Sequence, residues 1–194
     1  MKEKEGVETV CPKSRQEWRK WLMRNHRVKQ SVWLIAYKKK SNVPSIVWSD
    51  AVDEALCFGW IDSVRKPVDH EKFVQLFSKR KANSGWSKIN KQKVQRLMAE
   101  GLMTEAGLEV IERAKQNGSW TILDKVEELE IPKDLSKEFN RRPGSRQYFL
   151  SLSKSSRKAI LQWLVLAKRA ETRQKRLTEI AYLASQQLKP RQFR

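Results

Sequence analysis

Between Glu54 and Asn90 the chain sets two tryptophans, two carboxylates, an arginine and a group of small polar side chains at two element junctions: Glu54-Ala55-Leu56-Cys57-Phe58-Gly59-Trp60-Ile61-Asp62, and later Arg80-Lys81-Ala82-Asn83-Ser84-Gly85-Trp86-Ser87-Lys88-Ile89-Asn90. Junctions on a rigid scaffold are where binding groups collect. Arg80 carries a planar fork that can hold a phosphate or carboxylate through two parallel N–H bonds. Ser84, Ser87 and Asn90 surround the start of the next helix, where unpaired amides and the helix dipole favour an anion. Trp60 and Trp86 offer ring faces to a planar ligand. Asp62 stands one pleat from Trp60, ready to orient a ligand or to pair with Arg80. The expected ligand site is therefore Trp60, Asp62, Arg80, Ser84, Trp86, Ser87 and Asn90, with Arg80 and the helix start as an anion cradle. The structural alternatives are a strand-end ion pair for Asp62, a helix cap for Ser87 and core packing for Trp60 and Trp86.

An enzymatic alternative uses Asp62 or Glu54 as a base and Arg80 to stabilise an oxyanion, which requires all three groups around one cavity. The reading leans to a non-enzymatic binder, with no catalytic residue assigned. His26 and His70 are the histidines of the chain, and neither has partners at metal-ligand spacing. There is no phosphate-binding glycine loop, nucleophile elbow or dinucleotide fingerprint. No metal and no cofactor are expected.

A second set is Arg157, Lys158, Lys168, Arg169, Arg173, Lys175 and Arg176 on the C-terminal helices. It can meet several phosphates of a nucleic acid, or simply keep a helix face solvated.

The formal net charge is +19 in 194 residues. Basic segments, 1–99 and 133–194, flank an acidic one, 100–132. A field of this sign draws nucleic acid, anionic lipid headgroups and acidic proteins, and the partner expected here is an anionic small molecule or an acidic partner. The hydrophobic share of 39% is enough for a packed core and argues against disorder. No apolar run reaches the roughly 18–20 residues of a membrane span. Met1–Gly6 is charged with no apolar stretch behind it, so no secretory signal is expected. The two cysteines form no disulfide framework. Cys11 falls in a tail and Cys57 reads as an inert buried thiol. A cytoplasmic location is expected.

The elements that must position these residues follow from pattern. Ser14-Arg15-Gln16-Glu17 is a capping box opening a helix with Trp18, Trp21 and Leu22 on one face. Ser31–Tyr37 reads as a strand. Ser49 is expected to cap a helix from Asp50 to Phe58, with Asp50, Asp53 and Glu54 at its positive end, and Gly59 stops it. Residues 60–66 and 72–78 form an antiparallel hairpin, with Trp60, Asp62 and Val64 on one face and Ile61, Ser63 and Arg65 on the other. From Ser87 the pattern is helical, with Thr104, Pro132 and Thr172 as helix starts, Asn117-Gly118 as a stop and Pro143-Gly144 as a break. Ile160, Trp163, Leu164 and Ala167 form one apolar stripe, and Leu177, Ile180, Ala181, Ala184 and Leu188 another. Trp18, Trp21, Trp33 and Trp163 read as core. The expected fold is α+β: a small three-stranded, largely antiparallel sheet with helices over 1–120, then an all-helical module over 133–194.

The sequence resembles the YdeI/OmpD-associated (OmdA-like) bacteriocin-protection family. The resemblance rests on Trp18-x-x-Trp21-Leu22, on Val32-Trp33-Leu34 with Tyr37-Lys38-Lys39, on the block Ala51 to Asp62, and on Arg80 with Ser84-x-Trp86-Ser87-x-x-Asn90. At the C-terminus Trp163, Ala167-Lys168-Arg169-x-Glu171-Thr172-Arg173 and Arg176 resemble the family's terminal helical module. The resemblance implies resistance to bacteriocins and cationic antimicrobial peptides, and its label implies an outer-membrane porin partner. With no export signal read at the start, direct porin contact is not expected of this chain.

Overall fold

A computed structural model describes residues 7–194. The charged start at Met1–Gly6, on which the reading of the export signal rests, lies outside the described residues. The protein is mixed α+β, and the chain divides into two compact units: residues 7–84 with 89–118, and residues 85–88 with 119–194.

The first unit holds β1 (Thr9–Val10), α1 (Arg15–Asn25), β2 (Ser31–Tyr37), α2 (Trp48–Cys57), β3 (Trp60–Pro67), β4 (Lys72–Lys79), α3 (Lys88–Ala99, all but its first residue) and α4 (Glu105–Gln116). The sheet is four-stranded and mixed, in the order β1-β2-β4-β3. The fourth strand, β1, pairs parallel to β2 through Thr9↔Trp33 and Val10↔Leu34. Three strands are expected from the sequence because a two-residue strand carries no period to read.

Facing residues share a side of the sheet. Val32, Leu34 and Ala36 of β2 lie with Phe77, Gln75 and Phe73 of β4 on one side. Val32, Leu34, Ala36, Gln75 and Phe77 are buried there. Trp33, Ile35 and Tyr37 lie with Leu76, Val74 and Lys72 on the other side. Helix α1 covers the buried side: the Trp18 ring stands 5.3 Å from Phe77, and its Nε1 donates to the Ala51 carbonyl of α2 at 3.0 Å. Trp18 is fully buried; Trp21 and Trp163 are half-buried, the first stacked on Trp18 at 5.1 Å and the second packed against the second unit's core, whereas Trp33 is half-buried on the opposite side of the sheet.

A bulge corrects the expected alternation of β3. Asp62 faces Phe77, but Arg65 faces Gln75, so three steps on β3 match two on β4. The extra residue returns Arg65 to the side of Trp60 and Asp62. Its guanidinium lies 4.3 Å from the Phe73 ring centroid and donates to Gln75 Oε1 at 3.1 Å.

The helix ends are partly as expected. Ser14 Oγ accepts from Glu17 N, but Glu17 Oε2 accepts from Lys13 N rather than closing the box on Ser14. Helix α2 begins at Trp48 with no side-chain cap, because the Ser49 hydroxyl accepts from Lys93 Nζ at 2.9 Å instead. Gly59 ends α2 at φ +72°, a left-handed conformation that glycine adopts without penalty.

The second unit holds α5 (Asp124–Glu127), α6 (Lys133–Asn140), α7 (Ser145–Ser151), α8 (Lys154–Val165), α9 (Ala170–Ser185) and a 3₁₀ turn (Arg191–Phe193). Leu135, Phe139, Phe149, Ile160, Leu161, Leu164, Leu177, Ile180 and Ala181 form its core. Gly144 turns the chain at φ +80° where Pro143-Gly144 is read as a break. Helix α9 starts at Ala170, so Thr172 sits inside its first turn instead of capping it, and the helix ends before the exposed Leu188. No helix among the described residues is long and apolar enough to cross a membrane.

Candidate functional site

Helix α2 is the beam on which the first unit is built, and its two adjacent acids are not at the surface as the dipole argument expects. Asp53 and Glu54 are both 2% exposed. One residue apart on a helix, their side chains diverge by about 100°. Asp53 turns to α3, where Lys93 and Arg96 each take one of its carboxylate oxygens. Glu54 turns to α1, where Arg15 Nε and Arg19 Nη1 each donate to a separate oxygen at 2.6 Å. Both oxygens of Glu54 are thus held by guanidinium groups, an arrangement that ties α2 to α1.

At the end of α2 the Cys57 carbonyl accepts from Thr104 twice, from its amide at 3.1 Å and from its hydroxyl at 2.7 Å. Thr104 stands at the N-cap of α4 as expected, but its hydroxyl is used here and not on the helix amides. The Cys57 thiol is pushed up to about 11, first by burial and then by the Glu54 charge. The turn after it runs Phe58-Gly59-Trp60. The Gly59 carbonyl accepts from Arg80 N at 3.0 Å, and Trp60 Nε1 donates to the His26 carbonyl at 3.3 Å. These bonds draw together the end of α1, the α2–β3 turn, the end of β4 and α4.

A cleft of about 370 Å³ opens there, lined by His26, Arg27, Phe58, Gly59, Trp60, Lys79, Arg80, Ala106, Glu109, Val110 and Arg113. All of these residues belong to the first unit. Arg80 is 6% exposed, and burial lowers its guanidinium to about 10 while the Asp62 charge acts in the opposite sense. Arg27 and Arg113 are exposed at the rim, and Lys79 Nζ donates to the Arg27 carbonyl at 2.6 Å. Glu109 is the carboxylate among the described lining residues. The lining combines cationic side chains with the rings of Phe58 and Trp60, and Arg27 pairs with Glu105 at 3.7 Å. Charge-assisted hydrogen bonds strengthen where water is excluded.

Of the residues singled out by sequence, the cleft brings together Trp60 and Arg80. Asp62 lies on the same side of the sheet as Trp60 and accepts from Trp48 Nε1 at 3.2 Å. Ser84 closes a turn through its amide to the Lys81 carbonyl, and Asn90 is half-buried in the first turn of α3. Trp86 and Ser87 belong to the second unit. There the Trp86 ring is 2% exposed and stands 4.9 Å from Trp120. The amide of Lys88 donates to Glu127 Oε1 at 3.1 Å, and Lys158 Nζ to Glu127 Oε2 at 2.5 Å. An internal carboxylate therefore meets the first amide of α3. His26, Arg27, Lys79, Glu109 and Arg113 were not singled out from sequence, and they come from three separate stretches of chain. The excess of positive charge was the one signal of them.

The C-terminal basic set is largely engaged within the second unit. Arg173 holds Asp134 with Nε at 2.7 Å and Nη2 at 3.1 Å, and also reaches the Leu164 carbonyl. Arg176 lies 4.6 Å over the Trp163 ring and donates to that residue's carbonyl. Lys158 pairs with Glu127 and Lys175 with Glu171. Arg157 is half-buried on α8, while Lys168 and Arg169 are exposed in the turn between α8 and α9.

Comparison with known proteins divides the chain along its length. Residues 128–187 match the family model described as "Bacteriocin-protection, YdeI or OmpD-Associated". Residues 10–110 match a different one, "Domain of unknown function (DUF8412)". The resemblance drawn from sequence is thereby confined to the C-terminal segment. The Ala51–Asp62 block, on which it leaned most, falls in the other family's span. Neither the curated proteins nor the solved structures gave a match. Since residues 10–110 are more than half of the 194-residue chain, the protein belongs to the DUF8412 family and carries behind that domain a segment similar to the bacteriocin-protection family.

Proposed function

We propose that the protein is a cytoplasmic, non-enzymatic protection protein that binds an anionic small molecule or an acidic group of a partner in the cleft of its first unit. The observation that carries this reading is the cleft's composition: Arg80 nearly buried at its wall, with Lys79 and Arg113 around it, Arg27 paired with Glu105 at 3.7 Å, and Glu109 as the carboxylate of the lining. The segment similar to the bacteriocin-protection family supports the wider role. The burial of Arg80 fits a group kept for recognition, since a guanidinium out of water attracts a phosphate or carboxylate more strongly than one in bulk solvent.

The test is calorimetric titration of phosphorylated and carboxylated metabolites into the wild type, Arg113→Ala and Arg80→Lys. Arg113 is exposed, so its removal leaves the fold intact and is expected to weaken binding by roughly 10- to 150-fold, the about 1.5–3 kcal/mol of a hydrogen bond to a charged group. Arg80→Lys keeps the charge and loses the fork, and is expected to weaken it further. Equal affinities for all three proteins would remove the cleft from the account.

A further inference from the structure

The side of the sheet opposite α1 is built unlike a protected surface. On β2 the buried residues alternate with Trp33, Ile35 and Tyr37, all half-exposed. Val74 of β4 and Ile61 of β3 lie beside them on the same side and are also half-exposed. Lysines stand over this apolar surface. Lys66 Nζ is 5.2 Å from the Trp33 ring centroid, and Lys72 Nζ is 5.9 Å from that of Tyr37. Both ammonium groups thus stand over rings that are only partly buried. Lys39 and Lys40 follow Tyr37 and are exposed. The nearby carboxylate of Asp69 lies 3.6 Å from Lys72, with its other oxygen bound to the amides of Glu71 and Lys72 in the β3–β4 turn.

We propose that this open sheet face binds single-stranded nucleic acid, with bases stacking on Trp33 and Tyr37 and phosphates meeting Lys66, Lys72 and the lysines after β2. Two rings four residues apart on one strand are separated by about 13 Å, which leaves Ile35 as an apolar floor between two stacking positions. Aromatic rings laid flat on a sheet and bordered by cations are the parts that hold single strands without reading their sequence. Duplex cannot use them, because its bases are already stacked. A membrane surface fits less well, since insertion calls for apolar side chains at protruding tips, whereas Trp33 and Ile35 lie within the strand and ammonium groups stand over the rings of Trp33 and Tyr37. On contact the lysines exchange their rings for phosphates and the bases take the vacated ring faces. This surface is distinct from the cleft and from the C-terminal basic helices, so it stands or falls independently of both.

The experiment is fluorescence anisotropy of the full chain with a labelled oligothymidylate, repeated over a salt series and against a duplex of equal length. The wild type is expected to bind the single strand in preference to the duplex. Trp33→Ala and Tyr37→Ala are each expected to weaken binding by about 5- to 150-fold with the salt slope unchanged. Trp33→Phe, which keeps a stacking ring, is expected to retain most of the affinity. The double variant Lys66→Glu/Lys72→Glu leaves the apolar floor intact and is expected to flatten the salt slope by roughly 0.7 per lost phosphate contact. The proposal is overturned if the alanine variants bind as the wild type does, or if affinity is lost only on replacing Arg157, Lys158, Lys168 and Arg169. It is equally overturned if the wild type ignores the oligonucleotide and binds phosphatidylglycerol vesicles.

Discussion

Gly107 of α4 sits against the carbonyl of Cys57, so close that a Cβ added at Gly107 would overlap the Cys57 carbonyl carbon and oxygen. The same carbonyl holds Thr104, one turn earlier on α4. Helix α4 can bring Arg113 and Glu109 to the cleft because it rides directly on the end of α2. Gly107→Ala is therefore expected to destabilise the protein by about 1–3 kcal/mol, the usual cost of overpacking where backbone must move. Chemical denaturation measures it, and a change within about 0.5 kcal/mol, typical of an unconstrained surface site, would show that α4 has room to shift.

The paired acids of α2 make a separable prediction. Glu54→Gln leaves Arg15 and Arg19 without their shared carboxylate, and both guanidinium groups keep about a third of their surface in water. The expected loss is about 1–3 kcal/mol, below the 3–5 kcal/mol of a fully buried broken pair because solvent screens the arginines. A denaturation midpoint equal to the wild type's would mean that the two ion pairs contribute nothing net.

Thiol chemistry distinguishes the two cysteines. Cys11 is exposed, whereas Cys57 is buried with its thiol raised to about 11. The native protein at mildly alkaline pH is expected to react with a disulfide reagent at Cys11 quickly and at Cys57 only on unfolding, since the thiolate is the nucleophile. Absorbance of the released chromophore counts the sites. Rapid reaction of both would contradict the packing of α2 on α4.

Acid should weaken the second unit through Glu138. Arg142 and Arg141 each hold one of its oxygens, and the hydrogen bond from Arg142 keeps its carboxyl below the ordinary carboxylate range. A depressed folded-state value means the contribution is present above the unfolded value, near 4.3, and disappears as pH falls through the folded value. Wild type and Glu138→Gln are expected to differ in stability at neutral pH and to converge in acid. A gap that persists unchanged to low pH would assign the effect to packing.

The local part of this architecture was legible in the sequence because its causes are local. Ser14 and Gly59 mark a helix start and a helix stop by chemistry that acts within four residues. Longer-range features left no such trace. Ser31–Tyr37 is almost wholly apolar after its first residue, so no alternation reveals that Val32 is buried while Trp33 faces outward. The β3 bulge that moves Arg65 to the side of Asp62 is a property of pairing with β4, not of the β3 residues. Asp53 and Glu54 look like dipole-stabilising surface acids until α1 and α3 supply their cations. The cleft itself joins Arg27, Lys79, Arg80 and Arg113, brought together only by the packing of α4 on α2 and on the turn at Gly59. Arg80 and Trp60 were accessible to sequence reasoning because they flank element junctions.

The most direct test of the anion-binding cleft is a crystal structure of the protein grown with a saturating phosphate monoester. The account predicts tetrahedral density between Arg80 and Arg113 within hydrogen-bond reach of both, with Glu109 turned away. A cleft holding only water at saturation, or closed by a Glu109–Arg80 ion pair while the ester binds elsewhere, would contradict it.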